Sequence, residues 1–126
     1  MPDSLVAAPQ YLCESAELME RQGSVVFEVC DWRQVASAFA VRFEGEACAY
    51  LNQCAHVPTA LDWQPGEFWD HERRYLICAV HGALYDPPRG VCVMGPCPGK
   101  SLTRIPLMER DGKVYWYPSD RIQPVI

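Results

Sequence analysis

Cys54-Ala55-His56 and Cys78-Ala79-Val80-His81-Gly82 are the two stretches on which the reading of this chain turns. Each sets a thiol and an imidazole within one tight loop, and 21 residues separate His56 from Cys78. Two such loops facing each other make a Cys₂His₂ set. Structural zinc also takes two Cys and two His, but usually with like ligands close in sequence. Here unlike ligands are neighbours and like ligands are far apart. That order suits a two-metal centre in which each loop gives its sulfur to one metal and its nitrogen to the other. Gly82 fits a loop whose backbone must come close to an inorganic group and offer N–H donors to it.

Working outward, the flanks read as short strands. Ala38-Phe39-Ala40-Val41-Arg42-Phe43 runs into Glu44-Gly45-Glu46, a turn signal, and Ala47-Cys48-Ala49-Tyr50-Leu51 follows at once, so the spacing predicts a hairpin. Ser24 to Val29 is β-branched and half alternating, and Tyr75-Leu76-Ile77 is a short apolar run. Leu102 to Leu107 reads as an edge strand because Pro106 cannot donate to a ladder. Asp111-Gly112 then turns it into Lys113-Val114-Tyr115-Trp116-Tyr117. One or two helical turns are expected over Glu14 to Gln22, ending at Gly23. Short strands with frequent turns predict an all-β sandwich or small barrel. The segment from Asn52 to Cys97 holds all three histidines and reads as a loop-rich insertion on that scaffold.

Composition narrows the function classes. The 126 residues are 49% hydrophobic and 21% charged, as in ordinary globular protein, and fill one domain. A net charge of −5 argues against a nucleic-acid surface. No apolar run approaches the ~20 residues of a membrane helix. The start, Met1 to Ala8, has no basic region, so no secretory leader and a cytoplasmic location are expected. Seven cysteines is an odd number, which with a reducing compartment points to metal or catalysis before disulfides.

The chain resembles the Rieske-type [2Fe–2S] ferredoxins. Ala49 to His56 is similar to the family's strand and first ligand loop, and Leu76 to Asp86 to its second, including the aromatic-Asp pair after His-Gly. Gly95-Pro96-Cys97-Pro98 with Leu102 resembles the proline-containing third loop that covers the cluster. The likeness runs from about Tyr11 to Tyr117. It implies an all-β, Rieske-like antiparallel sandwich with an inserted loop-rich cluster-binding subdomain. The whole chain, 1–126, would be one Rieske domain, with scaffold at about 11–51 and 98–118 and the cluster-binding part at about 52–97. It further implies one [2Fe–2S] cluster per chain, ligated by Cys54, His56, Cys78 and His81.

The pattern also departs from the family's. Pro58 stands where the first loop often has Gly, and Ala79 where the second commonly has Pro. Thr59 and Val80 hold the places where the respiratory branch has a disulfide, and Ala83 the place of a Ser that bonds a sulfide. Both absences imply a reduction potential at the lower end of the Rieske range, about −150 mV rather than +300 mV.

The implied function is a soluble one-electron carrier passing electrons from a reductase to an oxygenase, with no nucleic-acid or membrane partner. It would serve an oxidoreductase system rather than act as a standalone enzyme. The only other histidine is His71, so no 2-His-1-carboxylate iron site can be assembled beside the cluster ligands. A second reading is a small Rieske-fold accessory subunit of a larger redox enzyme of the nitrite-reductase kind. A third is a zinc-stabilised binding domain. His71 reads as a solvated loop residue, and Cys13, Cys30, Cys48 and Cys92 as small core residues. Cys97 reads as packing or as support for the ligand loops. Trp63, Phe68 and Trp69 form either a docking patch or a satellite core.

Overall fold

The computed structural model describes residues 8–55, 59–62, 64–79, 81–97 and 99–125. Among the described residues, eleven strands run β1 (Gln10–Glu14), β2 (Val25–Asp31), β3 (Gln34–Phe43), β4 (Glu46–Leu51), β5 (Leu76–Ile77), β6 (Leu84–Tyr85), β7 (Cys92–Met94), β8 (Arg104–Ile105), β9 (Leu107–Arg110), β10 (Lys113–Trp116) and β11 (Ile122–Gln123). They form three antiparallel sheets: β11-β2-β3-β4-β8, β1-β10-β9 and β5-β6-β7. The all-β, antiparallel architecture expected from the sequence is the one found.

The period of two along β3 and β4 makes the five-stranded sheet a middle layer. Ala38, Ala40, Ala49 and Leu51 enter one core with Val29, Ile105, Val114 and Trp116, against the β1-β10-β9 sheet. Phe39, Val41, Cys48 and Tyr50 enter the other, with Leu61, Phe68, Leu76, Cys78 and Tyr85. Burial on both faces explains why Ala38 to Val41 is continuously apolar rather than alternating. Two contacts dock the segment after β4 onto this second face. Phe68 stacks on Phe39 with ring centroids 3.8 Å apart and planes 8° from parallel. The Tyr50 hydroxyl donates to the Pro87 carbonyl at 2.5 Å, while Gly90 lies so close under the ring that a Cβ there would sit 2.5 Å from it. Phe68 is therefore core, and Trp69 stacks on Phe43 and donates to the Gly23 carbonyl at 3.1 Å. Phe68 thus belongs to the core and Trp69 packs half-buried against it; Trp63 lies outside the described residues.

The predicted hairpin is β3–β4, turned by Glu44 and Gly45 at positive φ. Asp111-Gly112 likewise turns β9 into β10. Two expectations are corrected. The helix over Glu14–Gln22 is only a 3-10 turn at Ser15–Glu17. Arg42 takes the backbone beyond it, donating to the Leu18 carbonyl at 2.7 Å, and its own carbonyl accepts from the Arg21 amide at 2.8 Å. The strand at Leu102–Leu107 is two strands parted by Pro106. β8 pairs with β4 at the edge of the middle sheet, and β9 with β10 in another. Proline's missing donor marks the switch between sheets.

Candidate metal centre

Two loops reach the site. The first leaves β4, and Asn52 shapes it at both ends of its side chain: Nδ2 donates to Asp62 Oδ1 at 2.8 Å and Oδ1 accepts from the Leu61 amide at 2.7 Å. The Cys54 amide donates to the Thr59 carbonyl at 2.8 Å, closing the loop. The second leaves β5. The Cys78 amide donates to the Ala83 carbonyl at 2.9 Å, and the Gly82 amide to the Cys78 carbonyl at 2.7 Å. Gly82 lies at φ +74°, a left-handed conformation that closes the turn without steric cost. Its amide is thus committed to Cys78, and conformation is what this glycine contributes. The Ala79 amide donates to the Leu61 carbonyl at 3.0 Å, tying the two loops together.

The loops bring Cys54, Cys78 and His81 into one group, with their ligand atoms all within 4.8 Å of one another. His81 turns Nδ1 toward the Cys78 sulfur at 3.5 Å. Both cysteines are buried and the imidazole is half-buried, so the group opens to the surface on its nitrogen side. His56, the fourth expected ligand, lies outside the described residues. His71 stands apart at an exposed hairpin tip, as expected. Two soft thiol donors and an imidazole from separate loops are a donor set that suits an iron–sulfur centre.

One residue to which the sequence alone assigned no role belongs to this site. The Tyr85 hydroxyl, on β6, sits 3.2 Å from Cys54 Sγ and 3.5 Å from Cys97 Sγ, and accepts from the Ala55 amide at 3.0 Å. Burial, then its contacts with Cys54 and Cys97, push its pKa well above the ordinary phenol value. The hydroxyl therefore keeps its proton and can donate it to a sulfur. The aromatic four residues after His81 was a visible signal, but which sulfur it meets depends on the packing of β6 against the first loop.

The model of the Rieske [2Fe–2S] domain matches residues 8–117. The chain belongs to that family, whose cofactor is a [2Fe–2S] cluster. Solved structures share the fold at low identity. The ferredoxin of carbazole 1,9a-dioxygenase from Nocardioides aromaticivorans IC177 is 17% identical, with a TM-score of 0.68 over 90% of this chain and 100% of that one. The terminal oxygenase of the same system is 21% identical, with a TM-score of 0.66 over 94% of this chain and 32% of its own. A 2-oxoquinoline 8-monooxygenase component is 21% identical, with a TM-score of 0.62 over 90% of this chain and 26% of that one. This chain thus spans about a third or less of those oxygenase chains and the full length of the ferredoxin. No curated protein sequence matches it.

Proposed function

We propose that Cys54, His56, Cys78 and His81 hold the [2Fe–2S] cluster and that the protein is a one-electron carrier between a reductase and an oxygenase. The observation that carries this reading is the convergence of Cys54, Cys78 and His81 from two loops within 4.8 Å. Bound there, the cluster would take up and release a single electron. The chain's part is to bury the two sulfurs, to leave His81 toward the surface as the short path for an electron, and to place the Tyr85 hydroxyl where it can stabilise negative charge on Cys54. The unit from about 52 to 97 would form the cluster-binding part, on a scaffold of about 11–51 and 98–118.

Full-length overlap with the carbazole dioxygenase ferredoxin supports a free carrier, as does a solved complex between oxygenase and ferredoxin of that system. A cytoplasmic setting fits a chain in which no described helix is long and apolar enough to cross a membrane. Anaerobically purified protein should contain iron and acid-labile sulfide in equal amounts, and a reductive titration should end at one electron per chain. Zinc without sulfide would replace this reading with the zinc-stabilised domain.

The recurrence of this fold as about a third of the oxygenase chains favours a second reading, a subunit of a larger redox enzyme. Size-exclusion mass in the presence of candidate partners separates the two: a permanent complex selects the subunit.

A further inference from the structure

Cys92 and Cys97 lie outside the ligand set, yet their sulfurs are 3.0 Å apart, with Cys97 donating to Cys92. Ordinary contact between two sulfurs is wider than this, and a disulfide, at ~2.05 Å, is only about 1 Å closer. The backbone holds the pair in register. The Cys92 amide donates to the Lys100 carbonyl at 2.7 Å, the Gly99 amide to the Cys92 carbonyl at 3.1 Å, and the Lys100 amide to the Cys97 carbonyl at 3.1 Å. The loop between them, Val93 to Pro96, is exposed, so both buried sulfurs sit one layer beneath the surface. Gly95 presses that loop onto the second ligand loop: a Cβ there would be 2.8 Å from the Ala83 Cα.

We propose that Cys92 and Cys97 are a modification site, a dithiol that closes to a reversible disulfide with hydrogen peroxide as the oxidant. One thiolate attacks the peroxide, the O–O bond breaks, and a sulfenic acid forms as the first water leaves. The second sulfur attacks that sulfenic acid, the S–S bond forms, and a second water leaves. In sum, two thiols and one peroxide give one disulfide and two waters. Peroxide is small enough to reach the pair through local opening of the exposed loop, which a bulky disulfide reagent is not. Burial, then the hydrogen bond with Cys97, hold the Cys92 thiol above its ordinary range, so the reaction is slow at neutral pH. Once closed, neither sulfur carries a proton, and Tyr85 loses Cys97 as a possible donor. The bond therefore reports to the Cys54 side of the site through one hydroxyl.

The test uses the intact protein, cluster content being followed by its visible absorption. Trypsin cleaves after Arg89 and Lys100, and the peptide Gly90–Lys100 contains these two cysteines and no other. After mild peroxide treatment, alkylation and digestion, most of that peptide should be lighter by two hydrogens and carry no alkyl group. Dithiothreitol given before alkylation should restore both alkyl groups. In C97S, no form of that peptide lighter by two hydrogens should appear. Alkylation of both cysteines to the untreated extent, bonding of either to a different cysteine, or oxidation confined to Met94 would overturn the proposal. Because the readout is the peptide's mass, its failure is distinct from any failure of the electron-carrier reading, which the iron and sulfide content decides.

Discussion

Tyr85 shows how much one hydroxyl can carry. It meets two sulfurs and the Ala55 amide, so Tyr85→Phe leaves a partly buried N–H without its acceptor and should cost about 1–2 kcal/mol in urea unfolding. The same change should lower the reduction potential. A hydrogen bond donated to a ligand sulfur favours the more negative, reduced state, and its removal favours the oxidised one. A potentiometric titration of the variant beside the wild type reads the sign, and an unchanged or raised potential would show that Tyr85 does not donate to Cys54. The absence of Ser at Ala83 argued for a low potential on sequence grounds. A Tyr85 hydroxyl donating to Cys54 would act in the opposite direction, and only packing made that contact visible.

The loop from β7 to Gly99 depends on Gly95. Its φ of +106° and the backbone of Ala83 beneath it leave no place for a side chain. Gly95→Ala should cost about 1–3 kcal/mol through strained backbone alone, and the clash adds to that. Faster amide exchange at Gly82 and Ala83 in the variant would locate the damage in the second ligand loop; exchange unchanged there would show that the two loops are mechanically independent. The hairpins were legible unevenly. Gly45 and Gly112 announced their turns, whereas β2 and β3 are joined through Trp32 and Arg33, both at positive φ with large side chains. No local preference favours that pair, so β3 begins at Gln34, earlier than its sequence suggested. The turn is held from elsewhere: the Trp32 amide donates to the Arg121 carbonyl at 3.0 Å, and Arg121 pairs with Asp31 at 2.7 Å.

Across the molecule, Arg42 joins the layers. Its guanidinium pairs with both oxygens of Glu109 at 2.7 and 3.1 Å and also donates to the Leu18, Gly45 and Ser15 carbonyls. The Arg42 guanidinium holds the Glu109 carboxyl below its usual range, and the Gly45 and Glu44 amides do the same for Glu20. Both groups have folded values below their unfolded ones. Their stabilisation is therefore complete above the unfolded carboxylate value of about 4.3 and is lost as pH falls through the lower folded values. Glu109→Gln should lower stability at neutral pH by about 1 kcal/mol and flatten the acid limb of a stability–pH profile. An acid limb identical to wild type would place the pH sensitivity in other carboxylates.

Local chemistry alone decided that the chain is all-β, where most of its strands lie and which short motifs could offer metal ligands. Turn residues, β-branching and Cys–His spacing act within a few positions of themselves, so they survive in a linear reading. The helical turns expected over Glu14–Gln22 show where that reach ends: one 3-10 turn forms at Ser15–Glu17, and Arg42, far away in sequence, takes the Ser15 and Leu18 carbonyls. Tertiary structure decided that Cys54 meets Cys78 and His81, that Tyr85 stands against Cys54, and that Cys92 faces Cys97. Each of these is a contact through space whose energy depends on distances set by sheet packing, and no residue's own preference encodes it.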